Sequence, residues 1–143
     1  MFNEIKKISS LLLSVAFSSI GFIASITVTV LAAREVSSNP LFVGFPNAVG
    51  VGGAVIGTRM IYLISKSNSQ LNALAFTFLI GAFGGAIMFY SLIIDSFLLL
   101  LLGAFVLGIG QSATLQTRYA ASFVAGTKFK ATALSLAVWF SVF

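Results

Sequence analysis

Leu71 to Ile94 reads LNALAFTFLIGAFGGAIMFYSLII, 24 residues without a single charge. A bilayer core about 30 Å thick takes roughly 20 mainly apolar residues of helix, so this run is long enough to cross. It does not alternate apolar with polar residues, as membrane strands do, and it reads as a helix. Asp95 closes it at one end and the polar stretch Ser65 to Gln70 precedes it at the other.

The same pattern recurs on both sides of that run. Ile8 to Ala33 is uncharged, Leu41 to Ile64 is broken only by Arg59, and Ser96 to Thr117 is uncharged until Arg118. These runs predict spans at 8–33, 41–64, 71–94 and 96–123. The first is far longer than the about 7–15 apolar residues of a signal-peptide core, so it is expected to stay as a span. A fifth apolar run, Ala131 to Phe143, holds 13 residues, about 20 Å of helix at about 1.5 Å each. It is too short to cross and carries no cap, charge or turn. It is expected to be part of a fifth helix, with the chain a fragment of a longer protein; the alternative is a complete protein ending in a half-buried segment. The expected fold class is all-α, a polytopic transmembrane helical bundle, with 1–143 as a single transmembrane domain.

Composition excludes the other classes. The 143 residues are 59% hydrophobic and 8% charged, against about 25% charged in soluble domains. There is no Cys and no His, hence no thiolate nucleophile, no histidine base and no zinc site built from those ligands. The carboxylates Glu4, Glu35 and Asp95 are scattered along the chain. An enzyme needs paired acid and base groups or metal ligands, so no catalytic residue, no metal and no cofactor is expected. The expected partners are the lipid bilayer and an unknown small-molecule substrate, not nucleic acid.

Charge placement predicts orientation. With the N-terminus inside, Lys6, Lys7, Arg59, Lys66, Arg118, Lys128 and Lys130 all fall on the cytoplasmic side, and only Arg34 falls outside. That is a strong positive-inside bias, which predicts a cytoplasmic N-terminus in the plasma membrane. Short links force antiparallel neighbours. Pro40 opens the second span, where a missing amide donor costs little; Pro46 is expected one turn inside, where it kinks the helix.

Lipid offers helices no hydrophobic drive to associate, so small residues that permit close backbone contact matter. Gly53 with Gly57 and Gly81 with Gly85 form GxxxG pairs, and Gly108 and Gly110 lie mid-way along the fourth span. They serve bundle packing or surfaces that move during transport. Gln111, Thr114 and Arg118 are spaced three and four apart and share one helical face, which Gly108 extends. That face lines an aqueous cavity or makes an interhelical hydrogen bond. Asn47, Ser18, Ser25 and Thr29 are further polar candidates, although Ser and Thr in membrane helices commonly bond their own backbone. Arg59 and Arg118 lie near span ends, from which they can snorkel to the interface.

Two segments carry a resemblance. One is Gly52-Gly53-Ala54-Val55-Ile56-Gly57-Thr58-Arg59, running to Ser65-Lys66. The other is Gly108 to Ala121, continuing through Lys128 to Leu136. With an inside N-terminus and a tiny outer link before the fourth span, they resemble the first half of a major facilitator superfamily (MFS) transporter. The family's loop after the second span usually reads Gly-x-Leu-Ala-Asp-Arg-x-Gly-Arg. Here Tyr62 stands for the Asp, Leu63 for the Arg and Ser65 for the Gly, while Lys66 stays basic. Ala104 stands where many proton-driven exporters carry an Arg.

The resemblance implies twelve helices in two halves, a small-molecule substrate between them near the midplane, and transport by alternating access. This chain would be about a third of that protein and would need the missing C-terminal half to transport. The resemblance implies that lining residues come largely from the first and fourth helices, which favours the face of Gln111 and Thr114; Asn47, Ser18 and Ser25 are the further substrate-cavity candidates by their polarity, and Arg59, Lys66 and Arg118 the cytoplasmic gate or loop candidates. The alternative is a small multispan protein forming an oligomeric scaffold or channel.

Overall fold

The computed structural model describes residues 2–37, 39–67 and 69–124, with side chains described for 17–37, 39–66 and 69–117. The elements are α1 (Phe2–Val36), a one-turn 3-10 helix (Pro40–Phe42), α2 (Phe45–Ser67), α3 (Gln70–Ile94) and α4 (Phe97–Val124). No strand occurs among the described residues. Four segments are long and apolar enough to cross a membrane: Phe17–Val36, Pro40–Lys66, Gln70–Ile94 and Phe97–Thr117. The fold of the described residues is thus an all-α bundle of helices long and apolar enough to cross a membrane. The fifth apolar run, Ala131 to Phe143, lies outside the described residues, as do Lys128 and Lys130.

The chain forms two compact units, residues 24–113 and residues 1–23 with 114–143. Within 24–113 the small residues set how the helices meet. A Cβ on Gly53 would strike the Phe105 carbonyl, and one on Gly108 would strike the Gly50 carbonyl. Gly57 lies against Ile109, whose carbonyl oxygen would be 2.6 Å from an added Cβ. Positions therefore rise together on α2 and α4, which run parallel. The α3–α4 contact runs the other way. A Cβ on Gly81 would sit 2.7 Å from the Gly110 Cα, one on Gly84 2.7 Å from the Leu107 Cα, and one on Gly103 2.6 Å from the Met88 Cγ.

The α3 glycines pressed closest against α4 are therefore Gly81 and Gly84. Gly85, expected from the GxxxG spacing, meets only the Leu107 side chain, at an ordinary 3.7 Å. A spacing of three or four residues marks one stripe of a helix; the neighbour's side chains decide which edge of the stripe is pressed.

The apolar core of this unit is made of Ala32, Ala33, Met88, Leu100 and Ala104. Large side chains such as Phe83, Phe89 and Leu98 point outward, while Thr77, Ser91 and Ser112 are fully buried. In water that arrangement would forfeit most of the hydrophobic drive. In lipid the outward Phe and Leu side chains cost nothing, and small inward residues let backbones touch.

The turns are built from specific side chains. Asp95 ends α3 in the left-handed conformation, φ 53° and ψ 39°, and its N–H donates to the Ser91 carbonyl. The Ser96 N–H donates to the same carbonyl at 3.1 Å. Ser96 Oγ then accepts from the Leu99 N–H at 3.4 Å, capping α4. Before α2, Asn39 Oδ1 accepts from the Leu41 N–H at 3.1 Å, and Pro40 fills the first turn that needs no donor. The Phe42 ring packs edge-on against Phe97, with centroids 5.8 Å apart. Pro46 differs from expectation. Because the chain turns through Val43 and Gly44, α2 starts afresh at Phe45. Pro46 therefore lies in its first turn, where the missing amide interrupts no ladder bond.

Candidate functional site

Polar side chains at membrane depth must find partners inside the protein, because hydrocarbon supplies none. Most hydroxyls here return to their own helix. Thr77 Oγ1 donates to the Ala73 carbonyl at 2.8 Å, Ser91 Oγ to Met88 at 2.6 Å, and Ser112 Oγ to Ile109 at 2.6 Å. Thr58 does the same with Ala54 at 2.9 Å. Thr29 Oγ1 donates to the Ser25 carbonyl at 2.6 Å, and the Met88 sulfur lies 3.9 Å away.

Gln111 reaches across instead. Its Nε2 donates to Ser25 Oγ at 3.1 Å, joining α4 to α1 over 86 positions of sequence. Both residues are half-buried. Two of the sequence candidates are thus brought into direct contact. A flexible amide with two donors and one acceptor oxygen can make this bond and still address another group. Beside Ser25 lies a partly open cavity of about 130 Å³, walled by Val28 and Ala32 of α1, Gly85 and Met88 of α3, and Leu107 of α4. Ser25 is its polar edge. Its size approaches that of an apolar cavity of about 150 Å³ that stays dry and holds benzene.

The other candidates are placed as follows. Gly108 does not line the cavity; it is buried against the Gly50 carbonyl. Asn47 is half-buried in the first turn of α2. In the unit of 1–23 and 114–143, Thr114 is buried and Ser18 half-buried. Arg118 lies on α4, with its side chain outside the described residues. Arg59 and Lys66 are exposed toward the C-terminal end of α2. Among the described residues no cluster of His, Cys, Asp or Glu could hold a metal ion.

Sequence reasoning missed Gly50, whose carbonyl receives Gly108, and the cavity left by the missing side chain of Gly85. The signal for Gly50 was present: it begins a run of four small residues (Gly50, Gly52, Gly53 and Ala54) interrupted by Val51. It also missed Ser19 and Ser65, whose hydroxyl oxygens are buried without a hydrogen-bond partner among the described residues.

Comparison with known proteins gives the following relationships. No protein-family profile matches the chain, and no solved structure matches it. Over 131 residues, 92% of its length, the chain is 30% identical to the uncharacterized MFS-type transporter YdeG of Bacillus subtilis (strain 168). Over 133 residues, 93% of its length, it is 32% identical to the uncharacterized MFS-type transporter YddS of the same organism. In each case the match covers 30% of the relative, so the chain spans less than a third of the length of these curated relatives.

Proposed function

We propose, from a chain kin to MFS-type transporters over 92% of its length, that it forms the first helices of a small-molecule transporter working by alternating access. The reading puts it in the plasma membrane with a cytoplasmic N-terminus, moving substrate by secondary transport rather than acting as an enzyme. The Gln111–Ser25 bond carries the site assignment. It is a polar junction between α1 and α4 beside a partly open cavity, and its uncharged donors and acceptors suit hydrogen bonding to a substrate. Gln111 contributes hydrogen bonding to an uncharged or polar part of the substrate, with Ser25 holding its amide when the site is empty. Asn47, Thr114 and Ser18 are further substrate-side candidates on their own helices. Arg59, Lys66 and Arg118 belong to the cytoplasmic end. A chain covering 30% of its relatives relies on the remaining length to complete the transport path.

The chain contains no cysteine, which makes the test direct. A single Gln111→Cys variant in the membrane-embedded protein should react with a small water-soluble thiol reagent. Complete protection in every transport state would refute the assignment of Gln111 to the substrate path.

A further inference from the structure

The cavity beside Ser25 has a chemistry that the transport reading leaves unspecified. Three helices of the unit 24–113 wall it, and it holds about 130 Å³. Val28, Ala32, Met88 and Leu107 give it hydrocarbon and thioether surfaces, and none of its lining side chains ionises. Its polar edge is Ser25, whose Oγ accepts from the Gln111 Nε2 at 3.1 Å. That bond uses one N–H of the amide. The second N–H and the carbonyl oxygen make no further hydrogen bond among the described residues.

Gly85 keeps the space open. A Cβ on Gly81 or Gly84 would press on the backbone of α4, so helix packing explains those two glycines. A Cβ on Gly85 would meet only the Leu107 Cδ1, at an ordinary 3.7 Å. Alanine would therefore fit at this position and would favour the helix. What glycine supplies here is volume rather than helix contact. Met88 is tied to α1 by the Thr29 hydroxyl, 3.9 Å from its sulfur, and a thioether makes favourable contacts with aromatic rings.

Size and surface narrow the occupant. An apolar cavity of about 150 Å³ stays dry and takes benzene, so this one has room for a single ring and not for a fused ring system. A bare hydrocarbon would fill it but would leave the Gln111 amide unaddressed. We propose that the cavity is the specificity pocket of the substrate site, taking one aromatic ring of a small amphipathic substrate whose adjoining uncharged hydrogen-bonding group meets Gln111. The proposal rests on the reading that Gln111 lies on the substrate path, and it adds the size and polarity of what is carried.

The test uses the full chain in membranes and a photoreactive benzamide with an azide on its ring, a probe that joins one ring to one amide. Adducts are mapped by peptide mass spectrometry. Irradiation should label the cavity wall, and benzamide should compete while acetamide, which lacks the ring, should not. Gly85→Ala puts a methyl group into the cavity without touching the α4 backbone, and should weaken competition by benzamide about fivefold. Gly85→Leu should abolish the cavity adducts. Gln111→Ala should weaken competition about fivefold through loss of a hydrogen bond. Unchanged circular dichroism shows that each variant keeps its helices. Adducts that survive Gly85→Leu, or equal competition by acetamide and benzamide, would overturn the pocket while leaving Gln111 on the substrate path. Sensitivity to the Gly85 variants with indifference to Gln111→Ala would instead refute the reading of Gln111, and the amphipathic substrate with it. A lack of cavity adducts in the parent chain, with lipid or another stretch of protein filling the space, would also overturn the proposal.

Discussion

Gly52 and Gly53 are neighbours on α2, yet the structure assigns them opposite responses to the same change. A Cβ at Gly52 meets nothing within 4 Å. At Gly53 it would strike the Phe105 carbonyl oxygen, lie 3.0 Å from the Phe105 carbonyl carbon, and lie 3.3 Å from the Ile109 nitrogen. All three atoms are backbone, so no side-chain rotation relieves the contact. Carbon atoms pack at about 3.5–4.0 Å, so α2 and α4 must part by about 0.5 Å or more. A gap of that order forfeits a quarter to a half of the dispersion energy at each contact along the seam, which also includes Gly50, Gly57 and Gly108.

Overpacking of this kind costs about 1–3 kcal/mol, and unyielding backbone atoms put Gly53→Ala toward the upper end. Both substitutions gain about 1 kcal/mol of helix propensity, so the difference between them isolates the packing cost. Gly53→Ala should be less stable than Gly52→Ala by about 2–3 kcal/mol. Reversible SDS unfolding in mixed micelles, followed by circular dichroism, measures that difference. Equal unfolding midpoints would refute the close parallel seam between α2 and α4.

Two other predictions follow from named contacts. In a double-mutant cycle, Ser25→Ala and Gln111→Ala should couple by about 0.6 kcal/mol, the average for membrane interhelical hydrogen bonds; strict additivity in the same SDS assay would contradict the 3.1 Å contact. At the α3–α4 turn, Asp95→Gly should be neutral or stabilising, because glycine enters the left-handed region freely. Asp95→Val should cost about 1–2 kcal/mol, and equal melting temperatures for these two variants would argue against the φ of 53° at this position.

The helical, membrane-spanning character was legible in uncharged runs such as Leu71 to Ile94, since crossing hydrocarbon requires both length and internally satisfied backbone. The backbone returns of Thr29, Thr77 and Ser91 were legible as a class, because a hydroxyl in a helix always has a carbonyl one turn behind it. What was not legible depends on how helices are rotated against one another. Spacing alone could not choose Gly84 over Gly85, or send Gly108 to Gly50 while Gln111 turns to Ser25. Those choices arise from facing surfaces far apart in the sequence. Pro46 was misplaced for a local reason: a hydropathy run does not register that Val43 and Gly44 break the helix before Phe45. Gln111 was singled out by its polarity in an apolar run, but its partner was only one of several serines and threonines until α1 and α4 were seen together.

The proposed function requires the four membrane-length helices among the described residues to cross in alternation from a cytoplasmic N-terminus. Sided labelling of single-cysteine variants tests it most directly. Asn39 before α2, Asp95 after α3 and Ser69 before α3 are all exposed and lie in links between helices. In intact cells an impermeant thiol reagent should label Asn39→Cys and Asp95→Cys, and should label Ser69→Cys only after the cells are opened. External labelling of Ser69→Cys, or protection of Asn39→Cys and Asp95→Cys until opening, would contradict it.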